Sequence, residues 1–415
     1  MSTVTSGPGA GVTKTVSAMG YRVSPAAGSQ MYSALLSGRD GNIYMAACDV
    51  RRPAYLIRLH PQSGRIERLG NMQDVTGEHD PEQIPQSKIH TQLVEDRHGR
   101  IWFGTHNEEM YNAQFGGMEV YPKGYPGGHL VNFNPQSGAF TDCGITFPQQ
   151  VKNPRSYRDC GLYYLSMTRD PARDILYAQL GDKIHIAAFD MNDGRLLDCQ
   201  PAPLDYPYAD HLEPRGPGYQ QCRDLRVGAD GNVYTFTHSG QVMRYRPAEK
   251  RIELLDIWVP GGTKALRNQP FAMVTNPEHT RIYGNGSLSG NIFELAVDLG
   301  KEPVIRDLGI PYQLAPQENT IHGITMGLDG IIYFIGSSTS NATFYSLNPK
   351  TGKIRFHGPI LFRNLNGAMP RKSWAACTAA DGTLWFGGDM HPATAGEFGY
   401  SLCYFSITPS TLSMD

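Results

Sequence analysis

No apolar run in the sequence approaches the roughly 18 residues that a membrane-spanning helix needs. Neither sign of charge dominates: 37 lysines and arginines face 39 acids, a formal net charge of −2. Nucleic-acid binders and membrane-surface proteins rely on a strong basic excess, so neither kind of partner is expected. The seven cysteines are scattered, odd in number and without a CxxC pair, which argues against a zinc ribbon or a dithiol redox site. They read as small buried hydrophobes. A GxSxG nucleophile elbow is missing too. Met1 to Gly11 is mostly Ser, Thr and Gly around no apolar core. No secretory signal is therefore expected, and the chain is either cytoplasmic or begins after a removed leader.

What is abundant points one way. With 46 glycines, 29 prolines and 22 tyrosines, the composition favours short strands joined by tight turns. One phrase recurs: an alternating apolar strand, an Asp-Gly turn, then a strand opening with an aliphatic-aromatic pair. It reads SALLSGRDGNIYMAA at 33–47, TQLVEDRHGRIWFGT at 91–105, CRDLRVGADGNVYTFT at 222–237, GITMGLDGIIYFIG at 323–336 and AACTAADGTLWFGG at 375–388. Two copies carry a longer turn, SMTRDPARDILYAQL at 166–180 and AMVTNPEHTRIYGN at 272–285. Each is followed by a second hairpin phrase, such as YLIRLHPQSGRIERLG at 55–70. Asp-Gly and Ser-Gly supply the positive φ of tight hairpin turns. Four strands per unit at blade-sized spacing predict an all-β, seven-bladed β-propeller spanning 1–415 as one domain. Thr13 to Val23 is expected to pair with a weak last strand near Ser406 to Ser413 and close the ring.

In such a blade the start of the first strand and the end of the second emerge on one face. Residues about nine before the turn glycine and about seven after it point there by strand alternation. Those positions hold His90 and His106 in the second unit, followed by Asn107, Glu108 and Glu109. The fourth unit gives Arg223 and His238, the sixth Asn319 and His322, and the seventh Trp374, Asp389 and His391. Tyr32 comes from the first unit, and the third is entered through Arg155, Tyr157, Arg158, Tyr163 and Tyr164. Histidine, arginine and tyrosine thus converge on one mouth without a facing carboxylate pair, which ordinary glycoside hydrolysis wants.

That set suits removal of a proton next to a carboxylate. Cleavage of a uronic-acid glycan by elimination needs a cation to neutralise the carboxylate, a base for the C5 proton and an acid for the departing O4. Histidine titrates near neutrality and tyrosine can donate or accept. The repeat, with His90 and His106 bracketing one inner hairpin and Tyr and Arg from the next units, resembles the propeller polysaccharide lyases. Among these it is similar to the fungal type that releases terminal L-rhamnose from rhamnosyl-α-1,4-glucuronate caps on gum arabic. The ulvan lyases share the fold and a two-histidine, tyrosine and arginine arrangement.

The resemblance implies His106 or His90 as base or acid, Tyr157 or Tyr164 as partner, and Arg223 as carboxylate neutraliser. Tyr32, Asn107, Arg158, His238, Asn319, His322 and Trp374 would line the substrate. It implies an acidic polysaccharide or oligosaccharide as substrate, a secreted setting, a monomer and no required cofactor. Two alternatives stay open. His238, His322 and His391 could gather a divalent cation in the central channel, as in oligogalacturonate lyase. The streptogramin and lactone propeller lyases use a magnesium ion with a His and paired glutamates, for which the nearest acids here are Glu108 and Glu109. The other is a non-catalytic glycan-binding propeller. The stretch 107–129 is long enough to wall the mouth into a pocket, and Asn285 and Asn341 stand in glycosylation sequons.

Overall fold

The computed structural model describes residues 15–24, 30–48, 52–107, 121–149, 162–181, 185–203, 222–262, 267–311, 321–337, 342–390 and 401–412. The turn chemistry is the reason for its regularity. Gly41, Gly99, Gly231, Gly330 and Gly382 all adopt positive φ between 75° and 83°. In the two long-turn copies Asp174 and His279 take the same left-handed conformation, at φ 54° and 56°. The aspartate before the glycine then reaches forward: Asp40, Asp230 and Asp329 accept the hydroxyl protons of Tyr44, Tyr234 and Tyr333 at 2.6–2.7 Å. Asp96, three residues before its turn glycine, receives the Trp102 indole N–H at 2.9 Å. The recurrent Asp-Gly-x-aliphatic-aromatic phrase is therefore one cooperative unit of turn, cap and core.

The strands group into seven four-stranded antiparallel sets among the described residues, and the fold is an all-β propeller. Blade one covers 35–71, blade two 88–145, blade three 164–201, blade four 226–258, blade five 273–309 and blade six 324–362. Blade seven takes 370–407 and the N-terminal strand Val16–Arg22. From blade two round to blade seven the innermost strands touch one another in series, and that of blade seven, Pro370–Thr378, touches that of blade one, Leu35–Ser37. Blade one meets blade two through its second strand, Ile43–Ala47, against Lys88–Ile89. Apolar clusters fill each gap between blades, including the gap between seven and one, where Trp385 and Tyr404 pack with Met45 and Ile57. Second strands such as Ile101–His106 are buried along their whole length, being covered by neighbours on both faces.

Closure differs from expectation in detail. Ser401–Ile407 is the third strand of blade seven, and beyond it Pro409–Thr411 forms a short 3-10 turn, so among the described residues no fourth strand follows there. The N-terminal strand is itself the fourth: Met19–Arg22 runs antiparallel to Cys403–Ser406. Its first half, Val16–Ala18, pairs parallel with Ile360–Phe362 of blade six, fusing the two blades into one eight-stranded sheet. Helix is confined, among the described residues, to Met72–Thr76 and that last turn. No described helix is long and apolar enough to cross a membrane. Asn285 is buried and its Oδ1 accepts the Ile321 N–H at 3.1 Å, so the folded chain does not present it as a glycan acceptor. Asn341 lies outside the described residues.

Candidate functional site

The innermost strand of blade two is broken. Lys88–Ile89 and Val94–Glu95 both pair with Ile101–His106, and between them the ladder is interrupted at residues 90–93. The Thr91 hydroxyl accepts the Gly104 N–H across the gap, at 3.1 Å, in place of a backbone carbonyl. His90 is thereby released from pairing and donates its Nδ1–H to the Leu165 carbonyl of blade three, at 2.7 Å. A carbonyl can only accept, so a neutral His90 carries its lone pair on Nε2. His106 ends the neighbouring strand, and the two imidazoles lie with centroids 5.8 Å apart.

From this pair a run of rings continues around the mouth. Tyr32 stacks on His90 at 4.9 Å and leans on Trp374 at 5.9 Å. Trp374 meets the edge of His322 at 4.8 Å, and His322 packs on Phe271 at 4.8 Å. On the other side the ring of Tyr163 lies 3.8 Å from that of His106. His90 and His106 are nearly fully buried, whereas Tyr32, Trp374 and Arg223 are half-buried. Asp389 fixes the indole, its Oδ2 accepting from Trp374 Nε1 at 3.0 Å and from Arg371 Nη2 at 2.8 Å.

Cations sit on the ring faces. Lys88 Nζ lies 3.5 Å from the centroid of Tyr32 and Lys372 Nζ 3.8 Å from that of Trp374. Arg223 and Arg267 both cover Phe271, at 5.0 and 4.6 Å. Burial holds the imidazoles of His90, His106 and His322 well below their ordinary pKa. Lys88 and Arg223 push the first two further down; Lys372, Arg223 and Arg267 do the same to the third. Three histidines are therefore neutral bases at neutral pH, set in positive potential. Lys372 itself is lowered to about 8, chiefly by burial, with Asp389 opposing and Arg371 and Arg223 adding to the effect.

Of the residues expected at the mouth, His90, His106, Arg223, Tyr32, His322 and Trp374 are brought together. Tyr164 is not. A bulge between Tyr164 and Ser166 changes the parity of blade three's inner strand. Tyr164 then faces the core between blades two and three, its hydroxyl bonded to Thr146 Oγ1 at 2.8 Å and its ring against Gly104. Tyr163 takes the place beside His106. His238 sits in the turn at the end of blade four's second strand, and its carbonyl accepts the N–H groups of Asn268 and Gln269 at 2.9 and 3.1 Å. It thus anchors the segment that carries Arg267 and Phe271. Asn107 is buried and its backbone bonds to the His106 ring. Tyr157, Arg158, Asn319, Arg155, His391, Glu108 and Glu109 lie outside the described residues, as does most of the 107–129 stretch.

Lys88 and Lys372 stand two residues before His90 and Trp374 in the sequence, so counting back by the period of a strand could have found them. Arg267 lies in a loop with no register to count from, and sequence reasoning had no signal for it. His129, also unforeseen, is buried between Glu78 and Asp142, with contacts of 2.9 Å to each. These hydrogen bonds outweigh its burial and raise it to about 9. Beneath the mouth the channel holds a cavity of about 190 Å³, lined by Gln92, Asp224 and Met273 and reaching His322 and Trp374. Burial lifts Asp224 there to about 6.

The described residues at the mouth do not suit a divalent cation; His391, one of the three histidines weighed for one, lies outside them. Among the described residues no three of His, Cys, Asp and Glu gather as a metal-binding group. The imidazoles at the mouth also feel Lys88, Arg223, Arg267 and Lys372, which would repel a metal ion.

A family model described as the two component regulator propeller matches residues 83–107, a stretch that contains both His90 and His106. No curated protein matches the sequence. Among solved structures, a fungal alcohol oxidase of the AA5 family in complex with copper superposes with a TM-score of 0.59 at 14% identity, over 92% of this chain and 75% of that one. A 6-phosphogluconolactonase candidate from Bacteroides uniformis gives 0.50 at 13% identity, over 85% and 95%. The propeller domain of Cps50 (Swd1) from Myceliophteria thermophila gives 0.50 at 11%, over 91% and 96%. At such identities the likeness is one of fold, and the fold it shows is the β-propeller.

Proposed function

We propose that the protein is a polysaccharide lyase that cleaves a glycosidic bond at O4 of a uronic acid by β-elimination. The observation that carries this reading is the set of neutral, buried histidines ringed by Lys88, Arg223 and Lys372. Strongly shifted groups gathered in one cleft make that cleft a functional-site candidate. A uronate carboxylate entering past the half-buried rings of Tyr32 and Trp374 meets Arg223 and Lys88, which neutralise it and make the C5 proton acidic. The same carboxylate cancels the positive potential that depresses the histidines, so the base strengthens when substrate is bound.

His90 is assigned as base, because its Nδ1–H is committed to Leu165 and Nε2 is left to take the C5 proton. The C5–H electron pair becomes the C4–C5 double bond, the C4–O4 bond breaks, and O4 takes a proton from the His106–Tyr163 pair. No water is consumed. The rhamnosyl-α-1,4-glucuronate linkage is the substrate to try first, since the resemblance in sequence points to it.

The test is incubation with gum arabic, ulvan and oligogalacturonate in heavy-oxygen water, followed by mass spectrometry. Elimination gives a 4,5-unsaturated uronate and no heavy oxygen in the products. Incorporated heavy oxygen without unsaturated uronate identifies a hydrolase and ends the reading.

A further inference from the structure

The cleft contains two centres of histidine and cation that share Arg223. Lys88 and Arg223 act on His90 and His106, whereas Lys372, Arg223 and Arg267 act on His322. Between the centres stand Tyr32 and Trp374. Each ring carries an ammonium on its face, Lys88 at 3.5 Å and Lys372 at 3.8 Å. A ring face holds the Lys372 ammonium in place without cancelling its charge in the way a carboxylate would. Lys372 does have an acid nearby, Asp389, but that acid already accepts from Arg371 and from the Trp374 indole. A compact anion at Lys372 would therefore meet a positioned charge next to a neutral imidazole and an aromatic wall.

We propose that the cleft binds an acidic glycan through two acid groups: the reacting uronate at the Lys88–Arg223–His90 centre and a second at the Lys372–Trp374–His322 centre. This deepens the elimination reading and rests on it for the placing of the reacting uronate. The second group is a carboxylate or a sulfate ester, both oxyanions that accept from an ammonium. Lys372 is the specificity-determining residue of the pair. Burial is what disfavours the Lys372 ammonium most, with Asp389 opposing and Arg371 and Arg223 adding to the effect; an acid group at its Nζ offsets that cost and a neutral hydroxyl does not.

Calorimetric titration of the full chain tests this with three disaccharides: a neutral sugar linked to glucuronate, two linked uronates, and a sulfated sugar linked to glucuronate. At least one of the two-acid ligands should bind about tenfold or more tighter than the one-acid ligand, as a charge-assisted hydrogen bond implies. The tighter of the two names the second acid. Lys372→Met should bring the ratio close to one, and Lys372→Arg should restore it. In the unsubstituted protein the advantage should shrink as pH rises through about 8, where Lys372 loses its proton in the free cleft.

Equal affinity for one- and two-acid ligands overturns the proposal, and so does an advantage that survives Lys372→Met. The wild-type ratio and its pH dependence decide the matter even if the methionine variant does not fold. Unsaturated product is assayed on the same three ligands. Product without any affinity advantage refutes the second acid site and leaves elimination standing; an advantage with no product from any ligand does the reverse.

Discussion

His106 and His129 lie on adjacent strands of one blade, both buried, with the His129 N–H donating to the hydroxyl of Thr105, next to His106. Their protonation is opposite. His129 has a carboxylate on each side, Glu78 and Asp142, and holds its proton up to about 9. His106 has burial and the charges of Lys88 and Arg223 against it, and is neutral far below its ordinary value. Burial disfavours the charged imidazole at both places, so the neighbours decide. What separates a structural histidine from a candidate base in this fold is therefore the sign of its partners, and strand position says nothing about it.

Breaking the neutral side should cost the most in rate. On the elimination reading Arg223→Ala removes the charge proposed to neutralise the substrate carboxylate, and loss of such a stabiliser typically costs about 10²–10³ in rate. His90→Ala should cost at least as much, because it takes away the proposed base. Both variants should still melt cooperatively by circular dichroism. A rate within about threefold of the unsubstituted enzyme for either would remove that residue from the mechanism.

Breaking the charged side should cost stability instead. His129→Leu leaves Glu78 and Asp142 facing each other without their cation, and breaking a buried pair this way costs about 3 kcal/mol. Denaturant unfolding measures it. The pH dependence of wild-type stability carries both signs. An unfolded histidine titrates near 6.5. His129, raised to about 9, contributes stability that is full below 6.5 and is lost as pH rises through 9. His90, His106 and His322 are lowered, so their contribution is full above 6.5 and is lost as pH falls below it. Stability should peak between these limbs, and His129→Leu should flatten the alkaline limb alone. A variant with both limbs intact would show that His129 is not the charged group.

Much of this was legible before any coordinates, for a physical reason. The propeller writes itself into the sequence through a repeated turn, and counting from Gly99, Gly231 and Gly382 placed His90, His106, Arg223 and Trp374 at one mouth. Counting fails where the backbone departs from period two. The bulge after Tyr164 reversed the parity of the third blade, so Tyr163 rather than Tyr164 meets His106. His129 was illegible because its partners are 51 and 13 positions away, on a loop and an outer strand that no repeat aligns. Arg267 was missed for the same want of register.

The parity of that strand can be sharpened by packing. A Cβ on Gly181 would lie 1.8 Å from Cε2 of Tyr163, so Gly181→Ala must displace the tyrosine ring. Overpacking of this kind costs about 1–3 kcal/mol. The displaced ring is the one lying 3.8 Å from His106, so the rate should fall as well, by up to about 10²-fold if the proton donor moves by an ångström. Lower thermal stability with an unchanged kcat would show that Tyr163 only fills space.

The smallest effect belongs to the neighbouring tyrosine. Tyr164→Phe keeps the ring that packs on Gly104 and Phe189 and removes only the hydroxyl bonded to Thr146. One neutral hydrogen bond in a part-buried place is worth about 1 kcal/mol, so the melting temperature should fall slightly. The rate should not change, because the hydroxyl is turned into the gap between blades two and three and away from the histidines. Tyr163→Phe makes the opposite trade: it should leave the core packed and slow the reaction. Steady-state kinetics and thermal melts on the two variants, run side by side, separate these outcomes. If Tyr164→Phe slows turnover as much as Tyr163→Phe while both melt like the parent, the hydroxyl serving O4 lies on the other face of the strand, and the bulge cannot be where the pairing of Tyr164 with Leu180 puts it.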